Sequence, residues 1–140
     1  MKTVHYILLI VLVILSFVIP TYYYPKLPET IPVHFDATGT PDTMGSRYGI
    51  FLLPIIGVVM SALILLLTQA QMQGIKASKA PRLLPFILVA FIQVLFLYIN
   101  YGSIQVSLQN WESLGEWFLP IILAITFLGC GYLYWYGKRA

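Results

Sequence analysis

Residues 48–68 read YGIFLLPIIGVVMSALILLLT, from Tyr48 to Thr68, and hold no charged side chain. That run decides the class, because about 20 consecutive apolar residues wound into a helix cover the hydrocarbon core of a bilayer. Three windows of the same kind flank it, from about Val4 to Tyr23, Leu83 to Tyr101 and Trp117 to Trp135. Composition agrees: 59% of the 140 residues are hydrophobic and 9% charged, with a mean hydropathy of +0.85, so a soluble fold would lack the charge to cover its surface. The expectation is an all-α membrane protein, a four-transmembrane-helix bundle forming one domain over residues 1–140. An extracytoplasmic Pro-rich loop at residues 24–47, with a short extended segment, joins the first two spans.

Charge sets the direction. Lys2, Lys76, Lys79, Arg82, Lys138 and Arg139 lie on one side with no acid, while Glu29, Asp36, Asp42, Glu112 and Glu116 lie on the other with only Lys26 and Arg47. The positive-inside rule then places both termini in the cytoplasm of a multi-pass plasma-membrane protein. Tyr22, Tyr23, Tyr24, Tyr48, Trp111 and Trp117 would belt the outer interface, and Tyr6, Tyr134, Trp135 and Tyr136 the inner one. The first span has Lys2 as a basic flank, as a secretory signal would, but no small-x-small cleavage site follows Phe17 to Thr21, so it reads as an uncleaved span. The net charge of +3 is too scattered to track a phosphate backbone, which excludes nucleic acid as a partner. Cys130, the one cysteine, sits among apolar neighbours as an inert packed thiol.

Inside the spans, polar residues are few. Gln93 and Asn100 fall two helical turns apart, on one face of the third span that must point toward other helices. Interhelical hydrogen bonding is the simpler use; a polar patch lining a solute path is the sharper one. Gly57 and Ser61 form a small-xxx-small pair that lets another helix approach the second span. Phe51 to Ile56 echoes Trp117 to Ile122, as in two parallel hairpin repeats. Pro54, Pro85 and Pro120 mark helix starts, where the amide that proline lacks has no partner to lose.

The loop is the informative stretch. Pro25, Pro28 and Pro32 oppose helix, and Ile31, Val33 and Phe35 alternate with Pro32, His34 and Asp36 as in a strand with one apolar face. Asp36 to Gly39 and Thr40-Pro41-Asp42 read as consecutive turns, with Gly39 at positive φ, and Ser46 as an N-cap for the second span. Leu27-Pro28, Ile31-Pro32-Val33-His34-Phe35, Gly39, Pro41-Asp42 and Ser46-Arg47 together resemble the signature of the family called domain of unknown function 1648. In many relatives this domain opens the immunity proteins that protect bacteria from the sporulation-delaying toxin and sequester a repressor at the membrane. No counterpart of the second conserved region of those proteins is found here.

The resemblance implies a non-enzymatic membrane protein of the toxin-immunity or signal-receptor type. Its outer loop would face an extracellular peptide, and Lys76, Lys79 and Arg82 a cytoplasmic regulator. Alternatives are an accessory subunit or small-solute transporter using Gln93 and Asn100, and a metal-dependent enzyme centred on His34 with Asp36 and Asp42 as ligands. No His-Glu-x-x-His, cysteine pair or phosphate loop supports catalysis, so no cofactor is expected. The loop residues Pro28, Pro32, His34, Phe35, Asp36, Gly39, Asp42 and Arg47 read as a structural and binding unit, with His34, Asp36, Asp42 and Arg47 as its polar network. Four short spans enclose little room, so a homodimer is a further expectation.

Overall fold

The computed structural model describes residues 2–74 and 84–139. The basic segment Lys76, Lys79 and Arg82 lies outside the described residues. The described residues form four α-helices: α1 (Lys2–Tyr23), α2 (Leu52–Gly74), α3 (Leu84–Ser107) and α4 (Phe118–Arg139). Among the described residues three segments are long and apolar enough to cross a membrane, Val4–Lys26, Arg47–Leu67 and Pro85–Ser107, and Phe118–Gly129 is a shorter apolar helix. Pro54, Pro85 and Pro120 each stand in the first turn of their helix, where no intrahelical bond is lost.

Helix α3 is central, packing on both α1 and α2, whereas α4 makes only marginal contact with the other elements among the described residues. Apolar burial cannot drive this arrangement inside a bilayer, because lipid tails are as apolar as leucine. Small and polar residues do it instead. Gly57 lets α3 come close, since a Cβ there would meet the Gln93 amide at 3.2 Å. Gln93 Nε2 donates to Ser61 Oγ at 2.8 Å, and Ser61 donates to the Gly57 carbonyl at 2.6 Å. The small-xxx-small pair and the inward face of α3 are therefore one contact.

The loop between α1 and α2 is more than a short extended segment. It forms an antiparallel hairpin of β1 (Thr30–Phe35) and β2 (Pro41–Ser46), bracketed by single 3-10 turns at Tyr24–Lys26 and Arg47–Phe51. Thr40-Pro41-Asp42 is thus not a second turn but the entry to β2. Pro41 is tolerated there as the first residue of an edge strand, which needs no amide. Nor does the strict alternation hold, for Ile31 and Pro32 are both buried and Val33 is exposed. The register slips between Pro32 and His34 and again before Phe35, as expected where proline supplies no ladder donor and a bulge takes up the difference. Val33 consequently lies over Gly45 and Gly49; a Cβ at Gly45 would stand 2.8 Å from its side chain, and one at Gly49 3.1 Å. Ser46 does cap the following 3-10 turn, accepting from the Tyr48 amide at 3.4 Å.

Beneath the hairpin lies a buried apolar cluster of Leu27, Ile31, Ile50 and Ile104, with Ile19, Tyr23, Tyr24, Phe51 and Leu108 packed around it. The best-packed apolar core of the described residues therefore sits at the junction of hairpin and helix ends.

Candidate functional site: a hairpin fastened at base and tip

The last two turns of α3 hold the hairpin base. Asn100 Nδ2 donates to the Ile50 carbonyl at 2.6 Å, and Ser103 Oγ to the Pro32 carbonyl at 2.6 Å. Both side chains are buried, so each removes a desolvation penalty that an orphan carbonyl would carry. A cavity of about 70 Å³ remains between Pro32, Ile50, Asn100 and Ser103.

The loop between α3 and α4 holds the tip. The α3 helix ends with Gln109 in the left-handed region, φ 60°. The Gln109 amide bonds to the Val106 carbonyl and the Asn110 amide to the Gln105 carbonyl, the pairing of a Schellman ending. The chain then turns back so that Leu114 seats on Gly102 and its amide donates to the Gly39 carbonyl at 2.8 Å. Tyr98 Oη donates to the Leu114 carbonyl at 2.9 Å. Gly39, at φ +78°, is required twice over: its backbone is left-handed, and a Cβ would stand 2.9 Å from the Gly115 carbonyl oxygen.

The expected polar network of four residues is divided into three separate units. Asp36 Oδ1 accepts from the Thr38 amide at 2.8 Å, the Thr38 hydroxyl at 2.7 Å and the Thr40 amide at 2.9 Å. These bonds, the Thr38 hydroxyl foremost, hold its carboxyl below the ordinary carboxylate range. His34 Nδ1 meets Asp42 Oδ1 at 2.6 Å, with the two side chains 67% and 43% exposed. The Arg47 guanidinium lies over the Tyr24 ring at 5.0 Å, a cation–π contact at the helix end. Asp36 is engaged by the turn and not by His34, and among the described residues no three His, Cys, Asp or Glu side chains gather as a metal would need. Phe35 is half-buried, whereas Pro28 is exposed.

Gln93 and Asn100 do point inward, 1% and 2% exposed, but to different partners: one joins two helices, the other joins α3 to the 3-10 turn between the hairpin and α2. Ser103, Gly102, Tyr98 and Leu114 were not singled out in the sequence. A polar and small-residue run at the end of an otherwise apolar span, Asn100-Tyr101-Gly102-Ser103, was the available signal.

These features define a multi-pass membrane protein whose hairpin between α1 and α2 is built into its helix ends. Residues 11–58, from mid-α1 through the hairpin into α2, match the family described as Domain of unknown function (DUF1648). An uncharacterized protein of Archaeoglobus fulgidus is 30% identical over 124 residues, which is 89% of this chain and 62% of that protein. The uncharacterized membrane protein YbgB of Bacillus subtilis is 38% identical over 48 residues, 34% of this chain and 53% of that protein. The chain thus spans less than two thirds of the length of these relatives. No solved structure matches it.

Proposed function

We propose that the protein is a non-enzymatic, four-span plasma-membrane protein of the toxin-immunity or signal-receptor type, with both termini cytoplasmic. In this reading the hairpin is a recognition surface for an extracellular peptide, and the basic inner segment at Lys76, Lys79 and Arg82 faces a cytoplasmic regulator. The carrying observation is that the hairpin is bonded to α3 at its base and to the α3–α4 loop at its tip, yet leaves His34, Asp42 and Met44 exposed. A two-stranded hairpin alone is marginal in water; one held at both ends presents a preorganised edge, which lowers the ordering cost of binding. The amide nitrogens of Gln93 and Asn100 donate within the protein, which supports this reading over a solute path. Helix α4, at 22 residues, is about 33 Å long, enough for a fourth crossing.

Survival is the direct test. Cells lacking their own immunity and exposed to the sporulation-delaying toxin should grow when this chain is expressed. Replacing His34 and Asp42 together by Ala should remove protection while membrane levels hold. Wild-type chain in the membrane without protection would defeat the immunity reading. Orientation is read separately: in a Cys130→Ala background, cysteines at Thr40 and Ser113 should react with an impermeant thiol reagent in intact cells and one at Ser78 should not.

A further inference from the structure

Between α3 and α4 lies a cleft of about 390 Å³, lined by Phe91, Val94, Tyr98, Phe118, Ile121 and Ile122 among others. Its volume falls in the range of small-ligand sites, and its one hydroxyl, Tyr98 Oη, already bonds to the Leu114 carbonyl. An occupant therefore needs no hydrogen bond inside the cleft, only apolar bulk. At its mouth the cleft continues through Tyr98, Leu114 and Gly115 into a shallow depression lined also by Trp111, Glu112 and Ser113. The whole α3–α4 loop carries Glu112 and Glu116 and no lysine or arginine.

An apolar slot with a carboxylate, Glu112, at its mouth calls for an amphiphile whose head is a hydrogen-bond-donating amine. We infer that the α3–α4 cleft is a binding site for a phospholipid with a primary-amine headgroup, its acyl chain between the helices and its ammonium at Glu112. A second copy of the chain fits less well, because a two-fold contact on this face would bring Glu112 and Glu116 of both copies together with no cation between them. An anionic lipid fits less well for the same reason. The site rests on the reading that α4 lies in the bilayer, but not on which side of the membrane the loop faces.

Trp117, 73% exposed and on the cleft wall, is a built-in reporter. Full-length protein with Trp111→Phe and Trp135→Phe would be reconstituted in phosphatidylcholine vesicles doped with a low fraction of phosphatidylethanolamine or phosphatidylglycerol, each brominated on its acyl chain. The ethanolamine lipid should quench Trp117 about threefold more than the glycerol lipid, the preference one partly exposed ion pair supplies. Glu112→Gln should bring the two to parity, and Val94→Phe with Ile121→Phe should remove the excess quenching by filling the cleft. Equal quenching by both lipids in the parent protein, or an excess that survives the filled cleft, would overturn the site. A companion protein retaining only Trp135 separates the premise: bromolipid that quenches Trp135 but shows no preference at Trp117 defeats the cleft alone. Failure to quench either tryptophan defeats the α4 span as well.

Discussion

Helices α3 and α4 are close in length and both strongly apolar, yet one organises the molecule and the other stands at its edge. The difference lies in where their few polar and small residues point. On α3, Gln93, Asn100 and Ser103 bond to α2, to the turn before α2, and to β1. On α4, Thr126 bonds back to the Ile122 carbonyl of its own helix, and a Cβ at Gly129 would meet nothing within 4 Å. Hydropathy alone brings a helix to the membrane; interhelical hydrogen bonds and close-approach glycines choose its neighbours there.

The most severe way to break this arrangement is at the hairpin tip. Gly39→Val forces a β-branched residue into a left-handed backbone and pushes its Cβ against the Gly115 carbonyl, displacing the Leu114 amide. Backbone strain and the lost bond together should cost about 2–3 kcal/mol in reversible unfolding from micelles. Gly115→Ala is the matched control, for Gly115 also has a positive φ, +95°, but open space around it, so strain alone should cost about 1 kcal/mol. Equal losses would mean that the contact between the hairpin and the α3–α4 loop contributes nothing.

Next come the two amides of α3. Asn100→Leu leaves the Ile50 carbonyl buried without its side-chain donor and should cost about 1–2 kcal/mol. Gln93→Leu leaves Ser61 still bonded to Gly57, so its cost should be close to the average of about 0.6 kcal/mol for a hydrogen bond between membrane helices. Both changes also delete an unpartnered buried amide oxygen, Asn100 Oδ1 or Gln93 Oε1, which offsets part of the loss. A larger effect at Gln93 than at Asn100 would move the organising contact from the hairpin base to the helix interior.

Much of this was legible in the sequence and some was not. The first three apolar windows, the proline starts, the Gly57–Ser61 contact, the inward face of Gln93 and Asn100, the Asp36–Gly39 turn and the Ser46 cap all depend on local spacing or on one residue's backbone preference. What spacing could not give was pairing at long range. Pro32 read as an outward residue of β1, but Ser103, 71 positions away, takes its carbonyl inside. His34 and Asp36 share parity along a strand, but the bulge turns that parity aside and the turn amides claim Asp36, so His34 meets Asp42 across the hairpin. The docking of Leu114 on Gly39 and Gly102 depends on how α3 ends, which Gln109, not a glycine, gave little reason to expect.

A smaller effect separates the turn from the helices through pH. Because the Thr38 hydroxyl and the Thr38 and Thr40 amides favour its ionised form, Asp36 has a lower pKa in the folded hairpin than in the unfolded chain. Its contribution is thus fully present above the unfolded value of about 3.9 and is lost as pH falls through the lower folded value. Amide resonances of Thr38 and Thr40 should hold their positions from neutral pH down to about 4 and move only below it. In Asp36→Asn the same amides should show no such titration. Movement centred well above that range would assign the turn to another group.

The smallest effect belongs to α4 and tests the comparison from its other side. Ser103→Ala and Thr126→Val each remove one hydroxyl that donates to a backbone carbonyl, at 2.6 Å and 2.8 Å, so the lost bonds are alike. Their acceptors are not. The Pro32 carbonyl belongs to the bulged part of β1 and is buried against α3, so removing the serine leaves it short of a donor at a cost of about 1 kcal/mol or more. Thr126 is exposed, and the Ile122 carbonyl it meets is in the interior of α4, where the backbone amide four residues on serves the same oxygen. Valine is also close to threonine in size. Thr126→Val should therefore lie within about 0.5 kcal/mol of the parent, with α4 still anchored. A loss there equal to that at Ser103 would show that α4 is held by a polar contact as α3 is, and the contrast between the two helices would collapse.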